Sequence, residues 1–265
     1  MDELDLRNRC ALVTGASRGI GLHIALALAS LGAHVILVAR NAILLSNVQE
    51  LIKRNNGTAV SIAADVSDPV EVAHLVERVG NAGVTPQIVV NAAGIFGPLQ
   101  LIAEVDIPRW IETIQTNTIA PFLICRAFLP PMIAMGWGRI INVSSAAALH
   151  VPGPLNSAYG TSKVALNHFT RHMAAELQGT GVTANVIHPG DVKSDMWATI
   201  RDEVSNTGPT GDGYRQWARW VDETGGDPPD KAAKLVTKLI SDDAKHINGQ
   251  FLWIDGGLQK PIPSW

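Results

Sequence analysis

Apolar residues recur along the chain in two alternating rhythms. Some form short continuous runs rich in β-branched residues; others return every three or four positions over longer stretches. The runs predict strands over 10–13, 34–39, 58–63, 88–90, 139–143, 182–187 and 251–254. The stretches predict a helix from the end of the first glycine turn to about residue 31, then helices over 42–54, 69–80, 108–134 and 157–178. Continuous apolar strands alternating with helices require a parallel sheet covered on both faces. The expected fold class is therefore α/β, a doubly wound parallel sheet, in a single domain spanning 1–265. One stretch breaks the alternation. Residues 205–229 carry Gly208, Gly211, Gly213, Gly225, Gly226, Pro228 and Pro229, and they belong to an insertion over about 193–228 rather than to a linker between domains.

The run from Ile20 to Ala39 has no Asp, Glu, Lys or Arg and is long enough to span a bilayer. Gly32 interrupts it, His23 and His34 lie within it, and its second half turns to strand composition, so it reads as helix, turn and buried strand. The overall composition, 46% hydrophobic and 17% charged with a formal net charge of -3, is that of an ordinary globular domain. Without a dense Lys/Arg cluster, neither nucleic acid nor a membrane surface is an expected partner. Cys10 and Cys125 each sit in an apolar stretch, which excludes a disulfide framework and favours a reducing compartment. The acidic start, Met1 to Leu6, lacks the positive segment of a secretory signal, so a cytoplasmic location is expected. No metal centre is expected.

Candidate chemistry begins where the first strand becomes the first helix. Gly15, Gly19 and Gly21 supply a tight turn, close backbone approach and free N–H groups at a helix N-terminus, the requirements of a pyrophosphate. Their G-x-x-x-G-x-G spacing differs from the commoner G-x-G-x-x-G. The second strand ends Val38-Ala39-Arg40-Asn41, with no carboxylate where a ribose 2'-hydroxyl would be bound. Arg40 offers instead a planar fork for a 2'-phosphate, and Arg18 approaches from the glycine turn. NADP(H) is thus the expected cofactor, with NAD(H) the alternative.

In order along the chain come Thr14-Gly15-x-x-x-Gly19-x-Gly21, Asp65-Val66, Asn91-Ala92-Ala93-Gly94, Asn117, Ser145, Tyr159-x-x-x-Lys163, Pro189-Gly190 and Asp255-Gly256-Gly257. The series resembles the short-chain dehydrogenase/reductase family, in its single-domain branch, from Thr14 to Gly257. The resemblance implies a Rossmann fold and a cofactor groove that includes Ser17 and Ile20 of the glycine turn. It implies that Asp65 and Val66 hold the adenine and that the turn containing Asn91, Ala92 and Gly94 lines the groove. Pro189, Gly190, Val192 and Ser194 belong to its nicotinamide end. It further implies a catalytic tetrad of Asn117, Ser145, Tyr159 and Lys163, the last two also touching the cofactor, and a homodimer or homotetramer. Three features depart from the family pattern. Ala92 replaces an asparagine, Ser194 stands where a threonine is usual, and the loop from Ser145 to Tyr159 is a residue longer than is frequent. The last leaves Ser144 as a second, weaker candidate for the serine.

Hydride transfer belongs to a nicotinamide, so the protein must place a carbonyl and supply a proton. Tyr159 is the expected acid. A phenol with a reference pKa of about 10 needs a nearby positive charge, and Lys163 lies one helical turn on. Ser145 would orient the substrate oxygen. Pro121 lacks the N–H that would bond the Asn117 carbonyl, which predicts a kink at Asn117 and a carbonyl in need of another donor; the family resemblance implies that this donor is a water between the carbonyl and Lys163. His188 reads as a structural strand-end residue and His150 as a loop residue. Within the insertion, which also holds Trp197, residues Tyr214, Trp217, Trp220 and Val221 recur at helical spacing. They mark an apolar face that is either packed permanently or part of a substrate lid. The expected function is an NADP(H)-dependent oxidoreductase interconverting a carbonyl and a secondary alcohol of a small molecule. The alternatives are an NAD-dependent dehydrogenase, an epimerase or dehydratase of the same family, and a dinucleotide-binding regulator without turnover.

Overall fold

A computed structural model describes residues 4–256; Gly257 of the closing motif lies outside them. Seven parallel strands, β1 (Cys10–Thr14), β2 (His34–Ala39), β3 (Thr58–Ala63), β4 (Ile88–Asn91), β5 (Gly138–Val143), β6 (Val182–His188) and β7 (Phe251–Trp253), lie in the order β3-β2-β1-β4-β5-β6-β7. The sheet grows outwards in both directions from β1 and β4, and the crevice beyond their carboxyl ends is where such sheets bind ligands. The last strand ends at Trp253, one residue before its expected end.

Helices α1 (Gly19–Ser30) and α2 (Ala42–Arg54) cover one face, and α3 (Pro69–Asn81) the other. Each helix buries one stripe. Leu45, Val48 and Ile52 of α2 face the core while Ile43 and Leu51 remain exposed. Asn41 and Asp68 cap α2 and α3 by accepting the amides of Leu44 and Val70. The run from Ile20 to Ala39 is α1, a turn through Gly32, and β2.

The long helix expected over 108–134 is divided. It consists of α4 (Ile107–Ile114), a π-helical segment at Gln115–Ile119, and α5 (Ala120–Met135). In the π segment the Ala120 amide reaches back five residues to the Gln115 carbonyl. A kink expected from Pro121 thus takes the form of a π turn centred on Asn117, the position whose carbonyl the proline cannot serve. The stretch Ile107–Met135 is apolar and long enough to cross a membrane by composition. Yet Ile124, Cys125, Phe128 and Met132 of α5 pack in the core with α3 and with α6 (Ser157–Glu176).

The insertion is more regular than its glycines and prolines predict. It holds α7 (Asp195–Val204), a 3-10 turn at Gly208–Gly211 and α8 (Asp212–Thr224). A further helix, α9 (Asp230–Ile240), was not expected. Its Leu235, Val236, Leu239 and Ile240 join α1 and α2 in the core on their face of the sheet. Ile200 and Val204 of α7 form a small separate core with Leu99 and Leu155, and Phe96, Tyr214 and Trp217 pack against it.

Candidate active site

The glycine turn is shaped by close approach. Gly15 has φ +67°, and a Cβ there would lie 2.8 Å from the Ala92 carbonyl oxygen. A Cβ on Gly21 would lie 2.4 Å from the Gly15 carbonyl oxygen. Thr14 at the end of β1 accepts the amides of Ala92 and Ala93 at 3.1 and 3.2 Å, joining the glycine turn to the turn after β4. Gly19 is different: it is left-handed at φ +57°, yet open space surrounds it. Arg18 at the start of α1 caps no amide with its side chain, and the first turn has no acidic residue. An uncapped helix N-terminus beside open space, reached by glycines, fits the pyrophosphate of a dinucleotide.

The two arginines expected to share a phosphate have other neighbours. Arg18 donates to Asp195 of α7 at 2.7 Å, and Arg40 lies 4.0 Å from Asp65, with both arginine side chains exposed. Burial raises the Asp65 carboxyl, but two hydrogen bonds from Ser67 and the Arg40 charge outweigh it and hold the group below its ordinary value. Asn91 is buried and turned inwards. It donates to Asn142, which donates to Thr170, so its amide braces β4, β5 and α6. Its backbone, with Ala92 and Gly94, is what remains for the groove.

At the other end of the crevice the four expected catalytic residues converge on α6. Lys163 is buried and donates to the Val143 carbonyl at 2.9 Å, and its Nζ lies 5.6 Å from the centre of the Tyr159 ring. Removal from water lowers Lys163 to about 8. Burial pushes Tyr159 up to about 12; the Ser145 hydroxyl works against that shift and the Asp191 charge adds to it. Ser145 therefore serves the phenol, whereas the Ser144 hydroxyl is buried without a partner. Asn117 accepts the Ile95 amide at 2.9 Å and donates to the Ile95 carbonyl and to Ser162. A Cβ on Gly94 would lie 3.2 Å from Asn117 Oδ1 and 3.7 Å from Lys163 Nζ, a tight approach to the first and ordinary contact with the second, which places the Gly94 backbone close to both side chains.

The segment after β6, expected to line the nicotinamide end, is held by a clasp. Asp191 donates its amide to the Asp227 carboxylate and accepts the Asp227 amide, and Val192 forms an antiparallel bridge with Gly226. Gly190, at φ +85°, passes where a Cβ would meet Asp227 and Ile254. Ser194 caps α7 through the Trp197 amide.

Several residues in this region escaped the sequence reading. The Phe96 ring lies 4.6 Å from that of Tyr159 and meets Tyr214 of α8 edge-on at 5.9 Å. Asn156 has a buried Oδ1 without a partner. Burial raises Tyr214 to about 12, Asn156 working against the shift. Asp195, Asp191 and Asp227 also belong to the site. Only Phe96, two residues after the Asn91 to Gly94 turn, carried a positional signal; the others are joined to the site by contacts remote in sequence.

A doubly wound sheet with a glycine-lined helix N-terminus at its switch point and a buried Tyr–Lys pair defines a dinucleotide-dependent oxidoreductase of the carbonyl/alcohol type. Residues 9–205 match the family described as short chain dehydrogenase, and the chain belongs to that family. A short chain dehydrogenase of Pseudocercospora fijiensis is 39% identical over 204 residues, which cover 76% of this chain and 65% of that protein. The 3-oxoacyl-[acyl-carrier-protein] reductase FabG of Pseudomonas aeruginosa is 33% identical over 260 residues, covering 96% of this chain and 99% of that one. In three dimensions, L-sorbose reductase of Gluconobacter frateurii, complexed with NADPH and L-sorbose, superposes with a TM-score of 0.83. That pair is 29% identical and covers 99% of this chain and 100% of the other.

Proposed function

We propose that the protein is an NADP(H)-dependent oxidoreductase that interconverts a small-molecule carbonyl and a secondary alcohol, with Tyr159 as the general acid/base. The observation that carries this reading is the buried Tyr159–Lys163 pair with the Ser145 hydroxyl beside the phenol, facing a crevice whose far end is an uncapped, glycine-lined helix N-terminus. The bound nicotinamide would supply or accept the hydride. Gly15, Ser17, Gly19, Ile20 and Gly21 would hold its pyrophosphate, Arg40 and Arg18 the 2'-phosphate, and Asp65 and Val66 the adenine. Ser145 holds the substrate oxygen towards the phenol. In reduction Tyr159 gives that oxygen its proton, and the Lys163 charge favours the phenolate left behind. Asn117 fixes the Ile95 strap and the π turn at the back of the lysine. NADPH in the sorbose reductase supports the cofactor assignment.

One observation favours a second reading, NAD(H). Each arginine already has a carboxylate neighbour, which reduces the positive field offered to a 2'-phosphate. Exposed Ile119 at the end of the π segment and Phe122, Ile133 and Met135 of α5 support assembly into a homodimer or homotetramer. The test of function is oxidation of NADPH over a panel of ketones and ketoses. We expect turnover with at least one of them and its loss, by roughly 100-fold or more, in Tyr159→Phe. Turnover that survives in this variant within a few-fold refutes the assignment.

A further inference from the structure

Ser145 stands between two amides that β6 holds. The Ser144 amide donates to the Ile187 carbonyl at 2.8 Å. On the other side the Ala146 amide donates not to backbone but to Nδ1 of the His188 ring, at 3.1 Å. Between these anchors Ser145 is extended, at φ -157° and ψ 153°, and accepts the Ala147 amide at the start of the 3-10 turn Ala146–Ala148. The His188 ring is buried and fixed against Trp253 of β7, edge to face at 4.4 Å, and Trp253 in turn meets His150 at the far end of the same turn, at 5.8 Å.

An imidazole nitrogen accepts a hydrogen bond only while it carries no proton. The Ala146 amide therefore selects the neutral ring with its hydrogen on Nε2. Protonation places an N–H opposite an N–H and breaks the anchor.

We propose that His188 is a positioning residue for the reaction: its unprotonated Nδ1 holds Ser145 against Tyr159 through the Ala146 amide, and protonation of the ring releases the serine and switches turnover off on the acid side. The groups that face the ring are Asp191 and Asp227 of the clasp, Asp255 after β7, and His150 across Trp253. Asp227 and Asp255 are both paired with Lys231, at 3.0 and 3.1 Å. Burial lowers the His188 pKa; the three carboxylates pull it back up, and His150 lowers it further. Neutral His188 thus prevails at pH 7, and the switch falls below the ordinary histidine value of about 6.5. The same contacts make His188 more than the strand-end residue expected from sequence.

The proposal rests on the assigned role of Ser145, so Ser145→Ala is measured beside the His188 variants, with kcat and KM recorded from pH 5 to 8. The Oδ1 of asparagine is able to accept the Ala146 amide and does not titrate. His188→Asn should therefore keep most of the wild-type kcat at pH 7 and lose the acid limb of the profile. His188→Phe keeps a ring but no acceptor, so kcat should fall roughly tenfold or more at every pH, as for a buried amide left unpaired, with KM for NADPH within about twofold. In the wild type, the ¹⁵N NMR titration of the His188 ring should show Nδ1 unprotonated at pH 7 and a midpoint matching that of the kcat limb. An acid limb that persists in His188→Asn overturns the proposal, and so does an NMR midpoint a full unit away, which is read in the wild type and needs no variant to fold. Normal kcat in His188→Phe with an inactive Ser145→Ala overturns the positioning role alone. Normal kcat in Ser145→Ala overturns the serine assignment and the role of His188 with it.

Discussion

At the scale of single residues, the site sets charges against burial. Lys163 titrates at about 8 when folded and about 10.4 when unfolded, so between those values the unfolded chain binds more protons. The lysine therefore makes stability rise with pH over that window. Tyr159 acts oppositely from about 10 to 12, where the folded chain keeps its proton longer. Denaturant titrations of the cofactor-free protein from pH 7.5 to 10 should show the rise in wild type and lose it in Lys163→Met; equal slopes refute the assignment. Arg40 tests the cofactor. A hydrogen bond to a charged group contributes about 1.5 to 3 kcal/mol, so Arg40→Ala should weaken NADPH roughly tenfold to a hundredfold and leave NADH nearly unchanged. Equal losses in a fluorescence titration with both cofactors would argue that Arg40 meets no 2'-phosphate. The candidate tetrad was named through the family resemblance, and the structure brings its four residues together around α6. The partner of Arg18 was not legible in sequence, because Asp195 lies on a helix 177 residues away.

At the scale of elements, strands and helices followed from period and burial almost throughout, because a strand buried on both faces leaves an unbroken apolar run. In the insertion the helical spacing of Tyr214, Trp217, Trp220 and Val221 pointed to α8, whereas α7 was not anticipated; its Ile200 and Val204 pack on Leu99 and Leu155, contacts remote in sequence. Helix α9 was not anticipated, although Leu235, Val236, Leu239 and Ile240 stand at helical spacing just after Pro228 and Pro229. Pro121 was informative because a missing N–H has one definite consequence. Pro121→Ala restores a donor to the Asn117 carbonyl and should draw the π turn towards α geometry, loosening the Asn117 grip on Ile95. We expect kcat to fall at least about tenfold while thermal stability holds or rises. An unchanged kcat with a crystal structure showing the π turn intact would separate the turn from the proline.

At the scale of the whole molecule, two large cores lie on the two faces of one sheet, and a third, smaller one lies under the insertion. The segment is attached to the rest by that small core, by Phe96 between Tyr159 and Tyr214, and by the exposed ion pairs Arg18–Asp195 and Arg109–Glu203. A small core and exposed ion pairs fit a segment that opens locally more easily than the two large cores. Limited proteolysis should show residues 195–222 protected more by NADPH and a substrate analogue together than by either alone. Equal resistance with and without ligands would mean permanent packing. The sequence located this segment and its apolar face but not what the face touches, since Phe96 and Leu155 are brought there by the topology.

The clasp at Val192 and Gly226 has a consequence for how such a fold diversifies. Because the two ends of the segment meet in a single antiparallel bridge flanked by the Asp191–Asp227 hydrogen bonds, removal of everything from Lys193 to Gly225 leaves no gap to span. The segment behaves as an exchangeable cartridge. Replacing it with a short glycine-serine turn should leave the two large cores intact, with a melting temperature changed by no more than a few degrees, and should abolish turnover while cofactor binding persists. Grafting the corresponding segment of another family member between the same two residues would then transplant substrate preference onto an unchanged catalytic floor.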